Sequence, residues 1–335
     1  MSQPRLDLLT IGNAITDIFA QVDDEFLAAE GMTKAIMHLI EHERANYLWD
    51  RMPANKKQRS GGSTANSAVG VAALGGTAAF VGKVAEDEIG HFYISDMHSE
   101  GVEFTTPMLS HGAGSGRSMI LITPDGERTM NTYLGACHDL TEEDIIEDQI
   151  AEAATIFMEG YLWDPPEAKL AFVRAAHYAH KHERAAAITL SDPFCVDRFR
   201  DEFRDLIRSK TCDYVFANIE ELKSLYQTSD FSEAVRQIAS EAELAVITLG
   251  EDGAMAVQDG EVVSVPAHPV REVIDLTGAG DLFASGFLLG HARGAPLDVS
   301  LRLGCLCAAE VIEHVGARPD ADLKELAAAH GLSVI

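Results

Sequence analysis

Six short apolar runs, at 6–12, 78–84, 154–160, 185–191, 213–218 and 244–250, recur along the chain with helical patterns between them, at 66–74, 166–182, 219–226 and 231–242. This alternation constrains the fold more than any other feature. The runs are nearly continuous in apolar residues, as strands are when helices cover both faces of a sheet. The pattern predicts βαβ units around a mostly parallel central sheet. A chain of 335 residues, 47% hydrophobic, can bury a large core of this kind.

Two segments break the rhythm, at about 15–55 and 104–135. The second alternates like exposed antiparallel strands around a "PDGE" turn at 124–127. Long insertions in compact domains are usually functional, so both are assigned to one small β lid laid over the main sheet. The lid suits a monomer's cover or a dimer clasp, leaving monomer and homodimer both open. No internal repeat, low-complexity tract or linker divides the chain.

The net charge of −27 argues against nucleic-acid partners and anionic membranes, which call for clustered Lys and Arg. No apolar run approaches the roughly 18 residues of a membrane span. The opening "MSQPRLDLLTIG" lacks a basic segment followed by an apolar stretch, so no signal peptide is expected and the location expected is cytoplasmic. Five cysteines, an odd number in mostly apolar settings, fit reduced thiols there. Cys305 and Cys307 fall on different faces of a helical pattern, unlike a zinc pair.

"DLTGAGDLFASGFLLG" (275–290) passes from a polar glycine turn into an apolar helix. Gly278, Ala279 and Gly280 therefore stand at a helix N-terminus, where free N–H groups and the helix dipole attract an anion. The dipole would also keep Asp281 ionised. A carboxylate beside an anion hole makes sense if the two act on different atoms, as in phosphoryl transfer. Backbone donors hold the moving phosphoryl group while the carboxylate takes the proton of the attacking hydroxyl. A simple helix cap would also explain an aspartate there.

Three other stretches are compatible with that chemistry. "GGSTANSAVGVAALGG" (61–76) is a glycine turn entering a small-residue helix, fit for binding or for tight packing. "NIEE" (218–221) ends a strand and opens a helix. Asn218 and Glu221 could organise magnesium through its waters, or merely cap the helix. "TLGEDGA" (248–254) is a strand and glycine turn suited to a nucleotide edge or to a plain hairpin.

Taken together, and in this order, the motifs "GNAITD", "GG…N", "NIEE", "TLGEDG" and "DLTGAGD" resemble the ribokinase-like (PfkB-type) carbohydrate and nucleoside kinases over essentially the whole chain. The resemblance implies a three-layer α/β/α ribokinase-like domain spanning 1–335, with the small β lid inserted in it. It implies an ATP-dependent phosphotransferase in which Asp281 deprotonates the acceptor hydroxyl and Gly278, Ala279 and Gly280 form the anion hole. Asn218 and Glu221 match the family's magnesium-organising motif. Thr248, Gly250 and Gly253 would lie along the ATP site, and Arg128 would reach the phosphates. Asp275 and Thr277 match positions that bind a monovalent cation, usually potassium. Position 276 departs from the family's usual Thr or small residue, being Leu.

Within the family "GGSTANS" is closer to adenosine kinases than to sugar kinases. The acceptor implied is adenosine, at its 5′-hydroxyl, with ribose, fructose or a related sugar as the alternative. Asp17 can accept hydrogen bonds from two neighbouring ribose hydroxyls, and Asn13, Gly62, Ser63 and Asn66 would complete the grip. Phe19, Met37, Met119, Tyr133 and Tyr161 are candidates for the base slot. "HLIEH" (38–42) matches a metalloprotease pattern with His38 and His42 one helical turn apart, but a polar helix face explains it better. "GK" at 82–83 lacks the rest of a P-loop. "GAGSG" (112–116) precedes a strand where a dinucleotide loop would follow one.

Overall fold

The computed structural model describes residues 4–334; Met1 to Gln3, which open "MSQPRLDLLTIG", lie outside the described residues. In chain order the strands are β1 (Leu6–Ile11), β2 (Ile15–Gln21), β3 (Met37–Leu39), β4 (Lys57–Gly61), β5 (Ala78–Val81), β6 (Val102–Phe104), β7 (Gly116–Ile122), β8 (Arg128–Tyr133), β9 (Ala153–Glu159), β10 (Ala185–Thr189), β11 (Tyr214–Asn218), β12 (Leu244–Thr248), β13 (Ala254–Gln258) and β14 (Glu261–Val265). The helices are α1 (Asp24–Ala29), α2 (His42–Arg51), α3 (Ser63–Ala73), α4 (Glu88–Ser99), α5 (Glu147–Glu152), α6 (Pro166–Lys181), α7 (Pro193–Arg208), α8 (Ile219–Tyr226), α9 (Phe231–Glu241), α10 (Ala279–Ala292), α11 (Leu297–Ile312) and α12 (Leu323–Ala329).

The large sheet has the order β14-β13-β12-β11-β10-β9-β1-β5-β6. It is parallel from β6 to β12 and antiparallel only at the β12–β13–β14 edge. Each apolar run feeds both faces. Ile156 and Met158 of β9 enter one buried cluster, with Phe172 of α6 and Leu222 of α8. Phe157, between them, enters the other, with Val69 of α3, Phe287 of α10 and Leu306 of α11. The result is three layers, as the sequence implies. The strand expected over 78–84 stops at Val81. There the chain turns so that Lys83 can pair with Asp144 at 2.6 Å, both nearly buried.

The small sheet has the order β3-β8-β7-β2-β4. Its pairings are mixed: β2–β7 and β3–β8 are parallel, β2–β4 and β7–β8 antiparallel. It reaches Gly61, beyond the expected limit near 55, because "KQRSG" forms the edge strand β4. That strand is too polar to show an apolar alternation, and charged residues are typical of an exposed edge. "HLIEH" is not a helix face: His38 lies in β3 and His42 opens α2, so no helical turn joins them. One face of the small sheet packs on α1 and α2 through Ile18, Met119, Leu121, Leu27 and Leu48. The other face, carrying Asp17, Phe19 and Arg59, is turned to a cavity.

Candidate active site

Helix α10 is hydrophobic all round and buried from Leu282 to Gly290. Small residues let its neighbours come close. A Cβ on Gly70 of α3 would lie 2.3 Å from Ser285 Oγ, and one on Gly286 would lie 2.6 Å from the Leu303 carbonyl of α11. This close packing holds α10 against α3 and α11. Gly278 opens α10 with φ of 81°, a left-handed conformation that glycine adopts without strain.

Asp281 sits at that junction. Its Oδ1 accepts from Ser63 Oγ at 2.7 Å and its Oδ2 from Asn66 Nδ2 at 2.8 Å. Ser67 Oγ donates to its main-chain carbonyl at 3.0 Å. Burial works against the helix dipole that is expected to hold Asp281 ionised. Burial raises its pKa, and the bonds from Asn66 and Ser63 recover only part of the shift. A carboxyl of raised pKa is a stronger proton acceptor once ionised. The N–H groups of Gly278, Gly280 and Asp281 have no protein acceptor among the described residues. Ala279, expected to join them, donates to the Leu276 carbonyl at 3.2 Å, closing the turn.

Two cavities meet here, and Asn66 lines both. The first, of about 410 Å³, lies at the C-terminal ends of β9 to β12. Its walls include Ser63, Thr248, Thr277, Gly278, Gly280 and Asp281. Asn218 and Glu221 also line it, as a reciprocal cap of α8. Asn218 Nδ2 donates to Glu221 Oε1 at 2.6 Å and the Asn218 N–H to Oε2 at 3.0 Å. Burial pushes the Glu221 carboxyl up to about 7. Gly250 and Gly253 serve the turn beyond Thr248 and are not among the lining residues. A Cβ on Gly253 would lie 2.1 Å from the Val265 carbonyl.

The second cavity, of about 490 Å³, lies between the small sheet and residues 315–318. Asp17, Ser60 and Asn66 line its inner end; Phe19, Ile122 and Val315 supply apolar wall; Lys57 and Arg59 stand on the β4 side. Asp17 is pushed up to about 7, chiefly by burial, against the pull of Arg318, Arg128 and Arg59. Of the expected base-slot residues, Phe19 lines this cavity and Tyr161 lines the other. Met37 lies on the exposed edge strand β3. Met119 and Tyr133 belong to the small core with α1 and α2 and face away from the cavity, a consequence of the two-residue period of β7 and β8.

Asn13 is also displaced from its expected place. It is buried behind the site, donating its N–H and Nδ2 to Glu159 Oε1 at 2.9 and 2.6 Å. Glu159 Oε2 accepts from the Thr64 N–H and Oγ1, both at 3.0 Å. Glu159, 1% exposed at the end of β9, thus pins the 61–66 turn to the sheet. Gly62 in that turn has φ of 104°, and a Cβ would lie 2.0 Å from the Asn13 carbonyl. Glu159 and Arg318 were not anticipated. Arg318, buried after "GA" (316–317), donates to the Ser60 carbonyl at 2.7 Å and the Ala65 carbonyl at 3.3 Å.

Asp275 and Thr277 occupy the turn before α10. Asp275 Oδ1 accepts from the Thr277 N–H and Oγ1 and Oδ2 from the Gly316 N–H, while Arg128 Nη1 forms an ion pair with Oδ2. No cluster of three or more His, Cys, Asp or Glu that could hold a metal is present among the described residues. Asn218 and Glu221 suit a magnesium ion held through water, since each carboxylate oxygen keeps a lone pair and the pair lines the cavity.

A model of the pfkB family of carbohydrate kinases matches residues 35–324. The chain belongs to this family. It is a phosphotransferase with an alcohol acceptor, and its three-layer architecture is that of the family's solved members. A probable sugar kinase of Rhizobium etli is 49% identical, with a TM-score of 0.89 covering 98% of this chain and 99% of that one. An adenosine kinase of Sinorhizobium meliloti is 48% identical, with a TM-score of 0.88 covering 97% and 99%. The 5-dehydro-2-deoxygluconokinase of Bacillus subtilis is 31% identical over 265 residues, 75% of this chain and 80% of that relative. No helix among the described residues is long and apolar enough to cross a membrane.

Proposed function

We propose that this kinase transfers the γ-phosphoryl group of ATP to the 5′-hydroxyl of adenosine. The observation that carries the reading is the second cavity, which joins a hydroxyl-gripping end at Asp17 to an apolar wall of Phe19, Ile122 and Val315. A nucleoside needs both ends; a simple sugar needs only the first. The 48% identical adenosine kinase supports the same acceptor. Buried free thiols at all five cysteines suit a reducing cytoplasm.

The ribose 2′- and 3′-hydroxyls donate to ionised Asp17, and this places the 5′-hydroxyl at Asp281 beside the Asn66 seam. As the 5′-oxygen attacks the γ-phosphorus, its proton passes to Asp281. The bond from phosphorus to the bridging oxygen breaks, and ADP leaves with that electron pair. The free N–H groups of Gly278, Gly280 and Asp281 stabilise charge on the transferring group. Asn218 and Glu221 would hold a magnesium ion through water, and such an ion neutralises phosphate charge. Closing the small sheet over the acceptor excludes water that would otherwise consume ATP.

A second reading rests on Lys57 and Arg59. Both line the acceptor cavity, and neither makes an ion pair among the described residues of this strongly acidic chain. That favours an acceptor with an anionic group, such as a sugar acid of the kind named in the Bacillus subtilis relative. ADP release with ATP-magnesium should be measured with adenosine, ribose, fructose and a keto-deoxy sugar acid offered separately. Strong turnover with adenosine alone is expected. Turnover with the sugar acid and none with adenosine would replace the first reading with the second.

A further inference from the structure

Asp275 bonds to three separate parts of the molecule. Thr277 belongs to the anion turn, Gly316 to the segment that walls the acceptor cavity, and Arg128 to the first residue of β8 in the small sheet. The Arg128–Asp275 pair is 2.6 Å long, and the two side chains are 18% and 11% exposed.

An ionised carboxylate offers about four lone-pair positions. Here three are filled by hydrogen bonds, from the Thr277 N–H at 3.1 Å, Thr277 Oγ1 at 2.8 Å and the Gly316 N–H at 2.8 Å, and the remaining side is occupied by the Arg128 ion pair, with Nη1 2.6 Å from Oδ2. Two other oxygens are engaged too. Thr277 Oγ1 spends its proton on Asp275 and accepts from Arg128 Nη1 at 3.3 Å. The Ile312 carbonyl accepts the N–H groups of Ile274 and Asp275. A monovalent cation on the side chains of Asp275 and Thr277, as the family resemblance implies, would have to displace a donor or Arg128 from each of these side-chain oxygens. These residues do not fit it.

We propose instead that Arg128 is the resident cation of this site, and that the kinase works without a monovalent metal. The physical need is plain. An unbalanced carboxylate at the rim of an anion hole repels the phosphates that the hole must hold. Arg128 cancels that charge with a guanidinium of fixed position, which a partly buried ion pair uses better than a mobile, hydrated ion does. Its origin on the small sheet adds a function that a free ion lacks. The charge arrives at Asp275 only while the small sheet is docked, so the geometry of the anion turn and the cover of the acceptor cavity are set together.

This inference is independent of the acceptor's identity, and its test can be too. The ligand-free protein should be melted in potassium, sodium and choline chlorides at equal ionic strength, and ATP turnover followed in the same salts with the best acceptor found. Wild type should give the same Tm in all three, within about 1 °C, and rates within about twofold. Arg128→Ala should lose turnover at least tenfold in choline and regain several-fold in potassium, with a Tm that potassium now raises. Arg128→Lys keeps a tethered charge and should stay indifferent to potassium; it also serves if the alanine variant fails to fold. A wild-type Tm or rate that rises strongly when potassium replaces choline would overturn the proposal. So would a folded, impaired Arg128→Ala that ignores potassium.

Discussion

The two cavities that meet at Asn66 are built from opposite materials. The one at the strand ends is framed by α3 and α10, whose small residues lock the helices together and leave the Asp281 carboxylate one position to occupy. The one under the small sheet is framed by an edge strand, a closing turn and charged side chains. Rigid close packing is what proton transfer needs, because a small misplacement of the base costs much of the rate. An adjustable wall suits the part of the molecule that chooses an acceptor and must open to admit it.

Substitutions can break this comparison. Asp281→Asn should lower kcat by about a thousandfold, within the range for loss of a positioned base, while calorimetry finds acceptor affinity nearly unchanged. Retention of a tenth of wild-type activity would remove Asp281 from that role. Asp17→Ala should act on the other side of the seam, raising the acceptor KM roughly tenfold to a hundredfold with kcat little altered. If kcat fell instead, the division of labour would be wrong.

The pH profile sharpens the same contrast. Asp17 titrates at about 7 and the Asp281 pKa is also raised, and each must be ionised to accept a proton or hydrogen bond. Activity is therefore lost as pH falls: kcat/KM for the acceptor should decline about tenfold per unit below pH 7. Asp17→Asn should lower the plateau and remove its own part of that limb. A profile flat from pH 8 to pH 5 would contradict the Asp17 assignment.

Smaller effects probe the scaffold. Gly70→Ala places a methyl 2.3 Å from Ser285 Oγ and should cost about 1–3 kcal/mol in urea unfolding, with kcat reduced because α3 and α10 are pushed apart. Glu159→Gln keeps the shape but turns one acceptor oxygen into an NH2 donor, so that the bonds from either Asn13 or Thr64 are lost. It should cost about 1–2 kcal/mol and raise the acceptor KM only modestly.

What was legible in the sequence follows the same division. Six of the nine strands of the large sheet, β1, β5 and β9 to β12, are apolar on both faces, so their positions show in the sequence to within a residue or a few; β6, β13 and β14 lie outside the six apolar runs. The 61–66 and 277–281 turns show through glycine, since few other residues could adopt φ of 104° at Gly62 or 81° at Gly278. Asp281 and Asn66 come with those turns. The edge strand β4 carries no apolar pattern, so Lys57 and Arg59 gave no sign of lining a cavity. Glu159 sits at the end of an ordinary buried strand, and only the fold shows that its carboxylate pins Asn13 and Thr64. Met119 and Tyr133 look like base-slot residues because aromatic and thioether side chains suit a purine. Strand parity, invisible until the sheet is assembled, turns them to the opposite face. The raised Asp281 pKa has the same origin, since the helix dipole can be seen in the sequence and the surrounding burial cannot.

In the proposed geometry Asp17 holds one end of the acceptor while Asp281 receives the primary hydroxyl at the other. Phosphorus NMR of the product formed from adenosine and ATP-magnesium tests it most directly. The prediction is a single phosphate ester whose signal is split into a triplet by the two protons on C5′. A doublet, which marks an ester on the 2′ or 3′ carbon, or adenosine left intact while another acceptor is consumed, would contradict it.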